Sequence, residues 1–285
     1  MNRHHRSAAW LGATLGTLCA LLTFALAAHA SDHRGSLTEE FHQTYAMTAD
    51  GRIELDNING DVHVSTWDRN EVKVDAIKYA DSKEKLDEAK IDIDSGKDYL
   101  SIKTKYPERR WGNNNPASVD YTLTVPRTVS LDEIKLINGA LDVAGVSGEV
   151  RASCINGRLE AHDLSGRAKL STINGRLDAR FNQLPKDIDL NSVNGGLELT
   201  IPSDSNAEVE ASTVSGGINN DFGLHVNRHQ MVGQSLRGEL GNGSSRIKLS
   251  NVNGRIEIRH AQDGRSMSPV KDRDRHDNGD DDSDI

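Results

Sequence analysis

The chain has 285 residues, of which 35% are hydrophobic and only 4% aromatic, with 25 glycines and a formal net charge of −9. A core so poor in Phe, Trp and Tyr has to be filled by Val, Ile, Leu and Ala, which suits thin repetitive architectures better than a bulky interior. The acidic balance argues against non-specific nucleic-acid binding, which depends on clustered Lys and Arg.

At the N-terminus, Arg3 and Arg6 precede an apolar run from Ala8 to Ala28 that closes on Ala28-His29-Ala30. A basic start, an apolar stretch and a small-x-small exit describe an export signal over 1–30, cleaved to leave Ser31 first. Gly12, Thr14, Gly16, Thr17 and Thr23 dilute the run and speak against a retained anchor, so no membrane insertion is expected after cleavage. Cys19 leaves with the leader, and Cys154 alone remains, so no internal disulfide framework supports the fold.

The second unit, 31–130, opens on a template that recurs later: Asp50-Gly51-Arg52-Ile53-Glu54-Leu55 lies nine residues before Asn59-Gly60. Beyond residue 68 the repeat lapses. Glu71 to Ala80, with Val72, Val74 and Ala76 alternating, predicts a strand, Asp81 to Lys90 a helix, and Asp92 to Lys103 a hairpin around Ser95-Gly96. Arg109 to Ser118, containing Asn113-Asn114-Asn115-Pro116, predicts a loop, and Val119, Tyr121, Leu123 and Val125 predict a strand ending at Pro126. Together these elements form a small α+β cap on the repeats that follow.

From 131 to 262 the repeat governs the sequence. Small-polar-plus-Gly pairs fall at Asn138-Gly139, Ser147-Gly148, Asn156-Gly157, Ser165-Gly166 and Asn174-Gly175, nine residues apart, then at Asn194-Gly195, Ser215-Gly216 and Asn253-Gly254. An aliphatic residue precedes each pair, as in Ile137, Ile155, Ile173, Val193, Val214 and Val252. Leu141, Val150, Leu159, Ala168, Leu177, Leu197, Ile218 and Ile256 follow three residues after the Asn or Ser, and a second apolar position two further on is broken only by Asn220. This alternation is a strand with one buried face, and Asn-Gly supplies the positive-φ turn. The pattern after each turn is repeated rather than mirrored, which favours parallel coils over a meander of hairpins. The fold class is therefore all-β: a parallel β-solenoid, single-stranded and β-helix-like, of about 18–21 residues per coil with a small N-terminal α+β cap. The last unit, 263–285, carries seven Asp between 272 and 284 and predicts a disordered acidic tail.

Leader, cap, Trp67-Asp68, the Thr124-Val125-Pro126 approach and the I/V-N-G and V-S-G ladder resemble, over roughly residues 37–260, a bacterial envelope family of unknown function labelled putative adhesin and related to the toastrack-type domains. Its ladder carries no known catalytic residues, so the resemblance implies the architecture and an exported, non-enzymatic role.

A search for chemistry agrees. There is no G-x-S-x-G, nucleotide-binding glycine loop, H-E-x-x-H or C-x-x-C. His225 and His229 stand four apart without a third ligand nearby and read as loop histidines. Cys154 occupies the position of Thr172, Ser192 and Thr213 in other coils and reads as a small filler rather than a nucleophile. No catalytic, cofactor or metal residue is assigned.

The outward positions give one candidate surface. With 18-residue coils, Asp142, Glu160, Asp178 and Glu198 stack into an acidic column at strand spacing, with Arg158 and Arg176 alongside. Such a face binds a cation or cationic polymer, or it is a solvated salt ladder that keeps a flat sheet soluble, and exposed pairs favour the ladder. The expected function is an adhesin-like interaction module, exported to the periplasm or cell surface, with an envelope protein or glycan as partner and no nucleic acid. An envelope-stress sensor or regulator accessory protein, in which the same solenoid binds a membrane partner, is the alternative. A polysaccharide-active β-helix enzyme is weaker, because Phe181 and Phe222 are the only aromatics between 138 and 260.

Overall fold

The structure, a computed structural model, describes residues 37–107, 116–228 and 233–272. The expected leader with its cleavage point before Ser31, residues 109–115 of the expected loop, His229 and the acidic stretch beyond 272 lie outside the described residues, and the end of that expected loop, Ser118, already belongs to a strand. Among the described residues no helix is long and apolar enough to cross a membrane.

The chain starts with β1 (Leu37–Ala46), β2 (Arg52–Asn59), β3 (Val62–Trp67) and β4 (Glu71–Ala80), then α1 (Lys83–Glu88), β5 (Lys90–Ser95), β6 (Tyr99–Lys105) and β7 (Ser118–Pro126). The repeats supply β8 (Ser130–Asn138), β9 (Leu141–Ala144), β10 (Val150–Asn156), β11 (Leu159–Leu164), β12 (Ala168–Asn174), β13 (Leu177–Phe181), β14 (Asp187–Asn194) and β15 (Leu197–Pro202). The last part holds β16 (Ala207–Ser215), β17 (Ile218–Asn220), β18 (Val226–Arg228), β19 (Gln234–Leu240), β20 (Ser245–Asn253), β21 (Ile256–Ala261) and β22 (Val270–Asp272). The fold is all-β, with long runs of parallel strands. A ten-stranded sheet has the order β1-β4-β7-β3-β9-β11-β13-β15-β21-β17, and a twelve-stranded sheet the order β18-β19-β16-β20-β14-β12-β10-β8-β2-β6-β5, with β22 paired to β19.

Each repeat lays its first strand in the larger sheet, turns at Asn-Gly, and lays its second in the smaller. Parallel pairing then brings equivalent residues together: Val150 faces Ala168, Cys154 faces Thr172, and Asn156 faces Asn174. Alternate residues point inward, so Val150, Leu159, Leu170, Leu177, Leu190 and Leu199 are buried in one continuous core. Burying each such side chain contributes about 1.5–3 kcal/mol, which compensates for the scarcity of aromatics.

The corners explain why the turn residue is glycine. Gly157 has φ 150°, its N–H donates to Asn174 O at 2.9 Å, and a Cβ there would sit 1.9 Å from Gly139 O. Successive glycines thus let the coils close to strand spacing where any side chain would collide with the backbone below.

Three features go beyond the repeat pattern or correct it. The coils do not stack in sequence order: β20 lies between β14 and β16, with Asn253 facing both Asn194 and Ser215, and β2 lies between β6 and β8. The reason is that β19 pairs antiparallel with β16 and occupies its outer side, so the returning chain enters on the inner one. Second, the aliphatic residues before the Asn-Gly corners, and before Ser215-Gly216 in register with Asn253-Gly254, face outward. Ile155, Ile173, Val193, Val214 and Val252 are 38–52% exposed, whereas Val146 and Leu164, at Ser147-Gly148 and Ser165-Gly166, are fully buried. Strand alternation forces this, because Cys154 and its equivalents already point inward one residue earlier. Third, residues 263–272 are not a free tail: Arg265 pairs with Asp204 at 2.9 Å, Ser268 N donates to Ser203 O at 3.0 Å, and β22 adds to β19.

The hairpin of β5 and β6 and the strands β4 and β7 fall where the sequence puts them. The helix is shorter than predicted; Ser82 caps it by accepting from Lys85 N, and Leu86 is its buried residue. The stretch around His225, expected to be loop, contains β18 and is followed by β19, and Asn220 interrupts the apolar column because its carboxamide holds both the N–H and the C=O of Leu224. β1 has no counterpart in the sequence reading, since it repeats nothing.

Candidate functional site

The acidic column forms in the predicted register on the outer face of the smaller sheet. Glu160 faces Asp142 on one side and Asp178 on the other, and Glu198 faces Asp178. The structure extends it at both ends, with His63 facing Asp142 and Glu257 facing Glu198. Both extra residues occupy the equivalent motif position, four past the Asn. The 79 residues separating Asn59 from Asn138 and the 59 separating Asn194 from Asn253 conceal the adjacency.

Carboxylates at strand spacing repel by about 1 kcal/mol per neighbouring pair in water and more near a protein surface. Here every one of them has a cation. His63 Nδ1 lies 2.9 Å from Asp142 and Arg158 Nε 3.4 Å from Glu160. Arg180 grips Asp178 with two nitrogens, and Glu198 is held between Arg176 and Arg259, the latter at 3.1 Å. Arg255 and Arg259 close on Glu257. The arginines come from two flanking columns, two residues before and two after the carboxylates, and their side chains fold over them.

At two of its positions the column is less solvated than a surface salt ladder. Asp178 and Glu198 are only 8% and 7% exposed although their strand positions point outward. The column is an ion-pair network covered at Asp178 and Glu198 and open to solvent at Glu160, whose side chain is 47% exposed, and among the described residues no group of three or more His, Cys, Asp or Glu is arranged to hold a metal ion. The hydrogen bond from His63 raises that imidazole's pKa above 6.5, against opposing burial. Burial pushes Asp142 up, but His63 beside it outweighs this and leaves the carboxyl below its usual range. Asp142 keeps its other oxygen, Oδ1, buried without a hydrogen-bond partner.

Around the Asn-Gly corner, on the larger sheet, lies a second ordered surface. Each Asn carboxamide donates to the one below it, from Asn253 through Asn194, Asn174, Asn156 and Asn138 to Asn59, at 2.8–3.0 Å. Beside this ladder runs the exposed aliphatic column, and beside that a column of small polar residues, in which Ser153, Ser171, Asn191, Ser250 and Ser212 face one another in turn. The larger sheet therefore presents parallel amide, aliphatic and hydroxyl stripes.

Other chemistry-bearing side chains are structural. Ser203 Oγ lies 3.0 Å from His260 Nδ1, but the hydroxyl is buried, also bonds Ala261 O at 3.1 Å, and fastens the corner where 263–268 returns. Burial pushes the Cys154 thiol up to about 11, which keeps it protonated and inert, as a filler should be. His225 is described but its predicted neighbour His229 is not.

Comparison with known proteins places residues 40–259 within the family described as Toastrack DUF4097, and the chain belongs to it. This is the family the ladder resembles. Among solved structures, the chain is similar to a putative cell adhesion protein from Clostridium sporogenes, with 12% identity, 79% of this chain and 100% of that chain covered, and a TM-score of 0.43. It is similar also to a putative adhesin from Bacteroides fragilis, with 12% identity, coverage of 78% and 97%, and a TM-score of 0.40. A putative lipid binding protein from Parabacteroides distasonis matches at 10% identity, 79% and 97% coverage and a TM-score of 0.30. No curated protein matches.

Proposed function

We propose that this member of the Toastrack DUF4097 family is an exported, non-enzymatic interaction module of the cell envelope, adhesin-like in holding an envelope protein or glycan by extended contact. The observation that carries the proposal is the exposed column Ile155, Ile173, Val193, Val252 and Val214 beside the Asn ladder. Scattered apolar residues are ordinary on a surface, whereas a continuous aliphatic line flanked by hydrogen-bonding stripes fits a long ligand laid along it. The ion-pair network on the other sheet stiffens the coils behind that surface, and the N-terminal elements cap the stack.

The test is binding of the labelled protein to intact cells and envelope fractions. Ile155→Lys with Ile173→Lys changes exposed side chains and should abolish binding without unfolding the protein, while Lys169→Gln on the same sheet should leave it intact. Equal binding by all three proteins would sink the reading. Intact-mass measurement of the exported protein should give Ser31 as its first residue, and a retained leader would place it at a membrane instead.

A further inference from the structure

The two sheets end in four strands, and three of these offer little to a partner. β17 and β18 are three residues each, and β5 carries Lys90, Asp92 and Asp94 along six residues. β1 is different. It runs ten residues in uninterrupted register against β4 and, among the described residues, pairs with nothing on its other side. It contains no proline or lysine, the residues that blunt an edge most effectively, and of its two carboxylates Glu39 is already paired with Lys78.

Its sequence is also complementary to itself. Two copies of one edge related by a two-fold axis run antiparallel, with inward residues opposite inward residues, so the axis must pass midway between two copies of the same residue. Centred on Glu40, the pairing sets two carboxylates opposite each other. Centred on His42, it opposes two imidazoles and leaves Phe41 against Gln43. Centred on Phe41, it sets Phe41 against Phe41, Glu40 against His42 in both directions, Leu37 against Tyr45 and Thr38 against Thr44, with no like charges opposed. Leu37 is 50% exposed in the single chain, and Phe41 and Tyr45 are only partly buried, so each has surface left to cover.

We propose that β1 is a dimer edge: two copies of this chain join antiparallel along it, centred on Phe41, and extend the ten-stranded sheet of one into that of the other. Strand addition supplies main-chain hydrogen bonds for affinity, and the Glu40–His42 and Leu37–Tyr45 pairs fix the register.

Sedimentation of the purified protein across micromolar concentrations should show a monomer–dimer equilibrium, and Glu40→Lys should raise the dimer dissociation constant about tenfold or more. Opposed residues in such a pair have Cα atoms about 4.5–5.5 Å apart, within disulfide reach. A chain carrying both Thr38→Cys and Thr44→Cys should therefore oxidise to a covalent dimer. Within one extended strand those positions are about 20 Å apart and cannot bridge. Thr38→Cys alone faces Thr44 and should not cross-link above the unsubstituted chain. Monomers at every concentration, an unchanged dimer in Glu40→Lys, or equal cross-linking by the single variant would each overturn the proposal. Unchanged circular dichroism in these exposed-site variants separates loss of pairing from loss of fold.

Discussion

Arg180 closes on Asp178 with both ends of its guanidinium fork, Nε at 3.1 Å from one carboxylate oxygen and a terminal nitrogen at 3.0 Å from the other. The two residues are neighbours on one face of β13, so strand alternation alone sets the arginine beside the carboxylate. With Arg176 only at 3.8 Å, Asp178 depends on this contact for its charge balance. Arg180→Ala should destabilise the protein by about 1–3 kcal/mol, the cost of a buried carboxylate left without its closest partner. Asp178→Asn in the same background should recover part of that loss. Denaturant melts of the two variants measure both effects, and a neutral Arg180→Ala would mean that the network is only decoration.

Because arginines already neutralise the column, millimolar calcium should leave the melting temperature unchanged. Calcium needs six to eight converging oxygens, whereas these carboxylates stand in a line and are turned toward guanidinium groups. Concentrated salt should lower the melting temperature slightly, since the most exposed pairs are screened and the covered ones are not. A calcium-dependent rise of several degrees, lost in Glu160→Gln with Asp178→Asn, would make the column a binding site after all.

His63 gives the end of the column a pH dependence. Its pKa in the folded protein is raised by Asp142, so its contribution is complete below 6.5, the unfolded value, and is lost as pH rises through the higher folded value. Asp142 works in the opposite sense. Its depressed pKa contributes stability above 3.8 that is lost as pH falls through the folded value. The melting-temperature advantage of the native chain over His63→Gln should therefore be larger at pH 5.5 than at pH 8.5. An advantage independent of pH would mean that His63 acts by packing alone.

Two adjacent glycine positions should respond to very different degrees. At Gly195, φ is 143° and a Cβ would meet Gly175 O at 1.9 Å, whereas Gly196 has nothing within 4 Å of its Cβ position. Gly195→Ala should cost more than about 2 kcal/mol, through backbone strain and collision with the coil below, while Gly196→Ala should stay within about 1 kcal/mol. Thermal melts of the pair test the tight corner directly.

The inside and outside of one coil are equally open to test. Leu177 is fully buried and Ile173 is 43% exposed, although both are aliphatic and flank the same Asn-Gly turn. Leu177→Asp should prevent folding or cost several kcal/mol, and Ile173→Asp should cost less than about 1 kcal/mol. Similar losses for both would refute the outward placement of the aliphatic column.

Much of this protein is written in its local pattern. Asn-Gly recurs because only glycine fits the corner, alternation separates Leu177 from Asp178, and coils of equal length put Glu160 between Asp142 and Asp178. For those residues, spacing along the chain converts directly into position along the stack, so the column was legible in the sequence. The order of coils at the ends was not. Whether Asn253 follows Asn194 or Ser215 depends on which side of β16 is already occupied by β19, a long-range choice that leaves no local trace in the sequence. The burial of Asp178 and Glu198 was hidden for a related reason: periodicity reports the direction of a side chain, while its exposure depends on arginines from neighbouring coils that fold across it. Period and turn chemistry thus determined the coil, and tertiary pairing decided which coils meet, what covers the carboxylates and which edge was left open.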